Sequence, residues 1–148
     1  MFDVCKGKRL TSEDQIEGKT PYIGAIDSNN GVANHIGQQP IHSKGTISLS
    51  YNGSIGEAFF QPEDYWATDD VNALYLKSEY GKLSVFTGLF IATILRQEKY
   101  RFSYGRKWGL SEMKNTLISL PVKRDGAPDW QWMENYMQSL PYSDRIVP

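Results

Sequence analysis

The chain has 148 residues, 40% of them hydrophobic, and a formal net charge of -1, which favours one domain with a single core and excludes a protein that coats nucleic acid nonspecifically. Its hydrophobic stretch 83–95 is too short to span a bilayer, and residues 1–10 contain no apolar run, so we expect neither a membrane span nor a signal peptide. A lone cysteine, Cys5, excludes an internal disulfide and makes the cytoplasm the expected compartment.

The first half of the chain is predicted to form strands and turns. Residues 21–26 are a short apolar run that ends before the turn sequence Asn30-Gly31. Residues 46–51 alternate apolar side chains with Ser, and Asn52-Gly53 follows, which predicts a β-hairpin with a type I′ turn. The alternation in residues 71–76 predicts a further strand.

The second half changes to helical spacing. Apolar residues recur at helical intervals in 83–95 and predict a core helix. Residues 99–104 alternate basic or polar residues with aromatic ones and are predicted to be extended. A short helix capped by Ser111 and an extended segment at 118–122 are expected next.

A last helix is predicted within residues 128–140, begun by Pro-Asp and stopped before Pro141. Four of its apolar side chains share one face and are expected to pack on the core: Trp130, Met133, Met137 and Leu140.

Charge is unevenly distributed along the chain. Residues 96–124 contain eight Lys or Arg against two acidic residues, whereas residues 10–95 contain four basic and ten acidic residues. A local positive field of this kind attracts a phosphate backbone. A solvated charged face is the alternative interpretation.

No catalytic or metal-binding pattern is found in the sequence. His35 and His42 have no zinc-ligand spacing, and Asp69 and Asp70, if in a strand, would point to opposite faces. We therefore expect a binding protein without an active site or a metal.

Four stretches in order resemble the target recognition domain of restriction-modification specificity subunits, both the type I and the related type IIB ones. They are KGKRLTSEDQIEGKTPYIGAIDSNNGV, AFFQPEDYWATDDVNALY, LFIATILRQEKYRFSYGRKW and ISLPVKRDGAPDWQWMENYMQSLPYSD. The resemblance extends from about Lys6 to Ser143.

This resemblance implies a single α/β (α+β-like) domain over residues 1–148, with a β-rich first half, a core helix and a C-terminal helix stub. Residues 128–140 would correspond to the start of the helical spacer that joins two such domains in complete subunits. It also implies that the domain recognises one half of a split sequence in double-stranded DNA. Cleavage, methyl transfer and the binding of S-adenosylmethionine would belong to partner restriction and methyltransferase subunits.

Candidate DNA contacts divide into two classes, because cations hold phosphates while amides and hydroxyls read base edges. The candidate phosphate contacts are Lys99, Arg101, Arg106 and Lys107, supported by Lys6, Lys8, Arg9 and Lys44. The candidate base contacts are Asn29, Asn30, Gln38, Gln39, Tyr51 and Asn52. The rings of Tyr100, Phe102, Tyr104 and Trp108 are interpreted as part of the scaffold.

Two other functions compete with DNA recognition. A solitary domain could be a protein-interaction or decoy module that binds a methyltransferase or a second specificity subunit, including a copy of itself. A small hydrolase is the third alternative, although the sequence has no evident nucleophile and base pair.

Overall fold

A computed structural model describes residues 1–146 of the chain. Within these residues there are seven strands and three α-helices, joined by short 3₁₀ helices. The strands are β1 (Phe2–Lys6), β2 (Glu17–Ile23), β3 (Val32–Ile36), β4 (Thr46–Ser50), β5 (Ala58–Gln61), β6 (Trp66–Ala67) and β7 (Val71–Leu76). The helices are α1 (Val85–Gln97), α2 (Leu110–Asn115) and α3 (Trp130–Ser139).

The strands form two sheets. The first is antiparallel with the order β1-β7-β4-β5, and the second has the order β3-β2-β6, in which β2 and β6 are parallel. The alternation of β4 is explained by burial on both faces. Ile47 and Leu49 join the main hydrophobic core, while Ser48 on the other face accepts a hydrogen bond from Gln61 Nε2 at 2.9 Å.

Helix α1 covers the apolar face of the first sheet. Ser84 caps its first turn by accepting a hydrogen bond from the backbone N–H of Thr87, and Ile91, Ala92 and Leu95 enter the core. Gly88 allows the helix to approach β5 closely, because an added Cβ would lie 2.1 Å from Phe60 Cδ2. The core helix predicted from the spacing is thus confirmed, with its start shifted to residue 85.

The opposite face of the first sheet packs on the second through a small core and a polar layer. Thr46 Oγ1 lies 3.0 Å from the Tyr65 hydroxyl, and His42 Nδ1 lies 3.1 Å from the Tyr75 hydroxyl. Burial raises the pKa of Tyr65 and lowers that of His42. Both side chains are therefore neutral near pH 7, which avoids the cost of a buried charge.

The C-terminal helix begins as the sequence predicts. Asp129 accepts a hydrogen bond from the backbone N–H of Trp132, and Met133 is fully buried against the core. Ser111, by contrast, is not a cap, because it lies within α2, whose N-cap is Gly109. In the described part of the chain no helix is both long and apolar enough to cross a membrane.

Candidate nucleic-acid interface

Several loops meet at one end of the first sheet, which we name the loop end. Strand register places Lys6, Leu49 and Ala58 side by side with Asn72 at this end. The loop end consists of the segments that extend beyond these strand residues, namely residues 7–9, 51–57 and 68–70. Residues 98–101, at the end of α1, also belong to it because Lys99 pairs with Glu57.

The predicted hairpin between β4 and β5 is present, but its predicted two-residue turn is wrong. Residues 51–57 form a wider loop, in which the Gly56 N–H donates to the Ser50 carbonyl at 2.9 Å. A type I′ turn needs positive φ at both central residues, and of the pair only Gly53 has it, with φ 67°.

The basic stretch, by which we mean residues 99–108, is also not extended at its start as predicted. Residues Glu98–Arg101 continue α1 as a 3₁₀ helix, which is a common way for an α-helix to end. Lys99 and Arg101 therefore do not share one face of a strand. Lys99 instead contacts the β4–β5 loop, and its backbone lies against Gly56.

Glu57 occupies the centre of this contact. It is only 4% exposed, and Lys99 Nζ lies 2.5 Å from its Oε1 while Arg96 Nε lies 3.1 Å from its Oε2. Arg101 pairs with Glu98 at 2.9 Å. Two of the predicted phosphate contacts, Lys99 and Arg101, are thus already paired with acids of the same chain.

Replacing Glu57 by Gln is expected to lower the free energy of unfolding by about 1–3 kcal/mol, because the charge-assisted hydrogen bond from Lys99 and the salt bridge to Arg96 are weakened at a buried group. DNA affinity should be kept or increased, since Arg96 and Lys99 would be released for phosphates. Denaturant titration and duplex binding measure the two effects. Glu98→Gln is the matched control, because an exposed pair contributes about 0.2–1 kcal/mol. Equal losses of stability would contradict the prediction.

Arg106 and Lys107 differ from the paired cations. Both are exposed, and neither forms a salt bridge within residues 1–146. Lys107 Nζ lies 5.7 Å from the centre of the Tyr104 ring. These two cations are available to an external anion.

The cations near the N-terminus lie in two places. Lys6, Lys8 and Arg9 are exposed at the loop end, where Lys8 Nζ lies 5.8 Å from the centre of the Trp66 ring. Lys44 precedes β4 and lies at the opposite end of the sheet, where its backbone N–H donates to Asp64 Oδ1 at 2.8 Å. A duplex that lies against the loop end would therefore contact Lys6, Lys8 and Arg9 more easily than Lys44.

Most of the predicted base-reading amides are used inside the fold. Asn30 Nδ2 donates to the Phe60 carbonyl at 3.0 Å and so covers the open edge of β5. Asn29 Nδ2 donates to the Val32 carbonyl at 2.9 Å, and Gln38 Nε2 donates to the Asp14 carbonyl at 2.6 Å. Gln39 is exposed near Gln38. These side chains lie away from the loop end.

Tyr51 and Asn52 do lie at the loop end. Asn52 Nδ2 donates to Asp70 Oδ1 at 2.8 Å, so its amide is partly committed to the fold. Burial, followed by the charges of Asp70 and Asp69, raises the pKa of Tyr51. Its phenol therefore remains a hydrogen-bond donor at neutral pH.

The four rings of the basic stretch divide into two pairs, which the sequence did not predict. Phe102 and Trp108 stack with ring centres 4.5 Å apart and belong to the core. Tyr100 and Tyr104 are 82% and 85% exposed, so their interpretation as scaffold rings is wrong. A sequence signal for Tyr104 existed in the Gly105 that follows it, which is typical of a turn.

Residues 1–141 match the family described as type I restriction modification DNA specificity domain. The chain is 37% identical over 141 residues to S.BcgI, the specificity subunit of a type II restriction enzyme from Heyndrickxia coagulans, and spans 41% of it. The fold resembles the crystal structure of the type I S subunit from M. genitalium, with a TM-score of 0.69 at 20% identity over 97% of this chain and 37% of that one. The HsdS subunit from Thermoanaerobacter tengcongensis gives a TM-score of 0.62 at 15% identity over 97% of this chain and 34% of that one. The chain thus spans less than half the length of each relative.

Proposed function

Because the chain belongs to the family of type I restriction modification DNA specificity domains, we propose that it recognises a short sequence in double-stranded DNA and directs a partner methyltransferase or endonuclease to it. The family and the α/β fold predicted from the sequence are both confirmed. The observation that carries the proposal is a set of exposed cations. Arg106 and Lys107 lie in the basic stretch, and Lys6, Lys8 and Arg9 lie at the loop end.

This arrangement suits the division of labour in duplex recognition. Cations on phosphates fix the position and register of the protein, while side chains on nearby loops contact base edges. The β4–β5 loop projects from the same end of the sheet as Lys6 and contains Asn52 and the half-buried Tyr51, whose ring packs against the core. We propose Tyr51 as the stronger base-reading candidate of the two, because the Asn52 amide already binds Asp70.

Catalysis is assigned to partners in this proposal. Within residues 1–146, no group of three or more His, Cys, Asp and Glu side chains is arranged to hold a metal ion. We propose that the chain neither cuts nor methylates DNA itself, needs no cofactor, and works in the cytoplasm with a methyltransferase subunit and a restriction subunit. Residues 128–140 are proposed as the start of the helical spacer that such subunits contact.

One observation favours protein interaction as a second function. Trp132 and Tyr136 stack on the outer face of α3 with ring centres 5.2 Å apart, and Phe90 of α1 packs edge-on against both. The two α3 rings remain 48% and 44% exposed. Exposed aromatic residues are enriched in protein interfaces, so this face could contact a methyltransferase or a second specificity subunit.

Selection of bound duplexes from a random DNA library, with and without a methyltransferase partner, tests the proposed function. We expect a short enriched sequence, with weak binding by the chain alone because linked sites gain strongly from effective concentration. Incubation with magnesium and S-adenosylmethionine should yield neither cleavage nor methylation by the chain alone. Absence of any enriched sequence under both conditions, with retained binding to the methyltransferase, would favour the protein-interaction function instead.

A further inference from the structure

Tyr104 lies at the tip of a tight turn in the basic stretch. The Ser103 N–H donates to the Arg106 carbonyl at 3.0 Å, and the Arg106 N–H donates to the Ser103 carbonyl at 2.9 Å. These reciprocal bonds close a two-residue hairpin with Tyr104 and Gly105 at its tip. The Tyr104 side chain is 85% exposed.

The turn is held firmly by the residues on either side of it. Phe102 and Trp108 stack almost parallel, with an interplanar angle of 7°, and Trp108 is 1% exposed. The indole Nε1 of Trp108 also donates to Thr116 Oγ1 at 2.9 Å. A side chain presented on a rigid support loses less conformational entropy when it binds a partner.

The charge around the tip indicates the chemistry of that partner. Arg106 closes the turn and Lys107 follows it, and neither pairs with an acid in the described part of the chain. Tyr100 is a useful comparison. It is 82% exposed, but the cations beside it, Lys99 and Arg101, are paired with Glu57 and Glu98. Of these two rings, the Tyr104 ring is therefore the one whose neighbouring cations remain available to a polyanion.

We propose that Tyr104 is a contact to the sugar-phosphate backbone of duplex DNA. Its ring packs on a deoxyribose and its phenol donates a hydrogen bond to a phosphate oxygen, while Arg106 and Lys107 pair with neighbouring phosphates. Tyr is among the side chains that contact phosphate and sugar in DNA complexes. This inference rests on the proposed function.

Affinity for cognate and unrelated duplexes, measured on the full chain at several salt concentrations, tests the proposal. Tyr104→Ala is expected to weaken binding to both kinds of duplex by about tenfold, the effect of one hydrogen bond to a charged group. The slope against salt should hardly change, because Tyr releases no counterion. Tyr104→Phe should fall between Ala and wild type, because it keeps the ring and loses only the phenol. Tyr100→Ala, the matched control, should bind within about twofold of wild type.

Three outcomes would overturn the inference. Loss of affinity for the cognate duplex alone would make Tyr104 a base contact. Unchanged duplex affinity with weaker methyltransferase binding would make it a protein contact. Equal losses of duplex affinity for Tyr100→Ala and Tyr104→Ala would show that Arg106 and Lys107 give Tyr104 no special role.

If the wild-type chain bound no duplex, alone or with the methyltransferase, the proposed function itself would fail. That result can be told apart from a failure of the Tyr104 inference, in which the wild-type chain still binds duplexes. Because Tyr104 is exposed, all variants should melt at the wild-type temperature.

Discussion

Replacing Arg106 and Lys107 together by Ala is expected to weaken binding to every duplex about equally and to reduce the slope of log affinity against log salt by up to about 2. Each cation that pairs with a phosphate releases about 0.9 counterion from B-DNA. At 0.15 M salt, the loss of two such contacts corresponds to roughly 30-fold weaker binding. Stability should be nearly unchanged, because both side chains are exposed and form no salt bridge within residues 1–146.

Two other cations of the same segment provide the control. Lys99→Ala with Arg101→Ala removes the same formal charge, but these side chains already pair with Glu57 and Glu98. This double variant should lower the melting temperature and change the salt slope less. The reverse pattern, with a large drop in melting temperature for the Arg106 and Lys107 variant and an unchanged slope, would show that these two cations serve the fold and not DNA.

The elements that the sequence predicted well are those that depend on neighbouring residues. The strand at 71–76 was predicted with its observed bounds because its alternation matches a register that both adjoining strands share. Helix α3 is predicted from Pro-Asp at its start and from apolar spacing, and Asp129 does cap it while Met133 and Trp130 pack on the core. The predicted core packing of Leu140 is wrong, because Leu140 follows the last turn of α3 and is 37% exposed. Alternation, helical spacing and caps each depend on residues that lie within a few positions of each other in the sequence.

The failures came from contacts that are distant in sequence. Residues 99–104 alternate like a strand, yet neither sheet of the described residues 1–146 includes them, and Lys99 is bound to Glu57, 42 residues away. Asn30 is an attractive base reader by residue type, but its amide closes a sheet edge 30 residues away. Residue type and local period contain no information on such partners. Consequently the sequence predicts the family and the fold class, but not the partners that Lys99, Arg101 and Asn30 have within the chain.

Replacing Trp108 by Ala is expected to have the largest effect on stability, about 3–5 kcal/mol, the usual cost of truncating a buried aromatic side chain. Trp108 is 1% exposed, stacks on Phe102 and donates to Thr116 Oγ1, so the change removes packing, a stack and a hydrogen bond together. Trp108→Phe is the matched variant and should lose less, because a ring is kept. Denaturant unfolding measures both losses.

The same substitution also tests whether the core supports the proposed DNA contact. Phe102 and Trp108 border the turn that presents Tyr104, so loss of the stack should loosen the turn in molecules that remain folded. Below the unfolding transition, Trp108→Ala should therefore bind duplexes more weakly than Trp108→Phe, with a similar salt slope because no cation is removed. Equal affinities for the two variants at matched folded fractions would show that the stack stabilises the domain without positioning Tyr104.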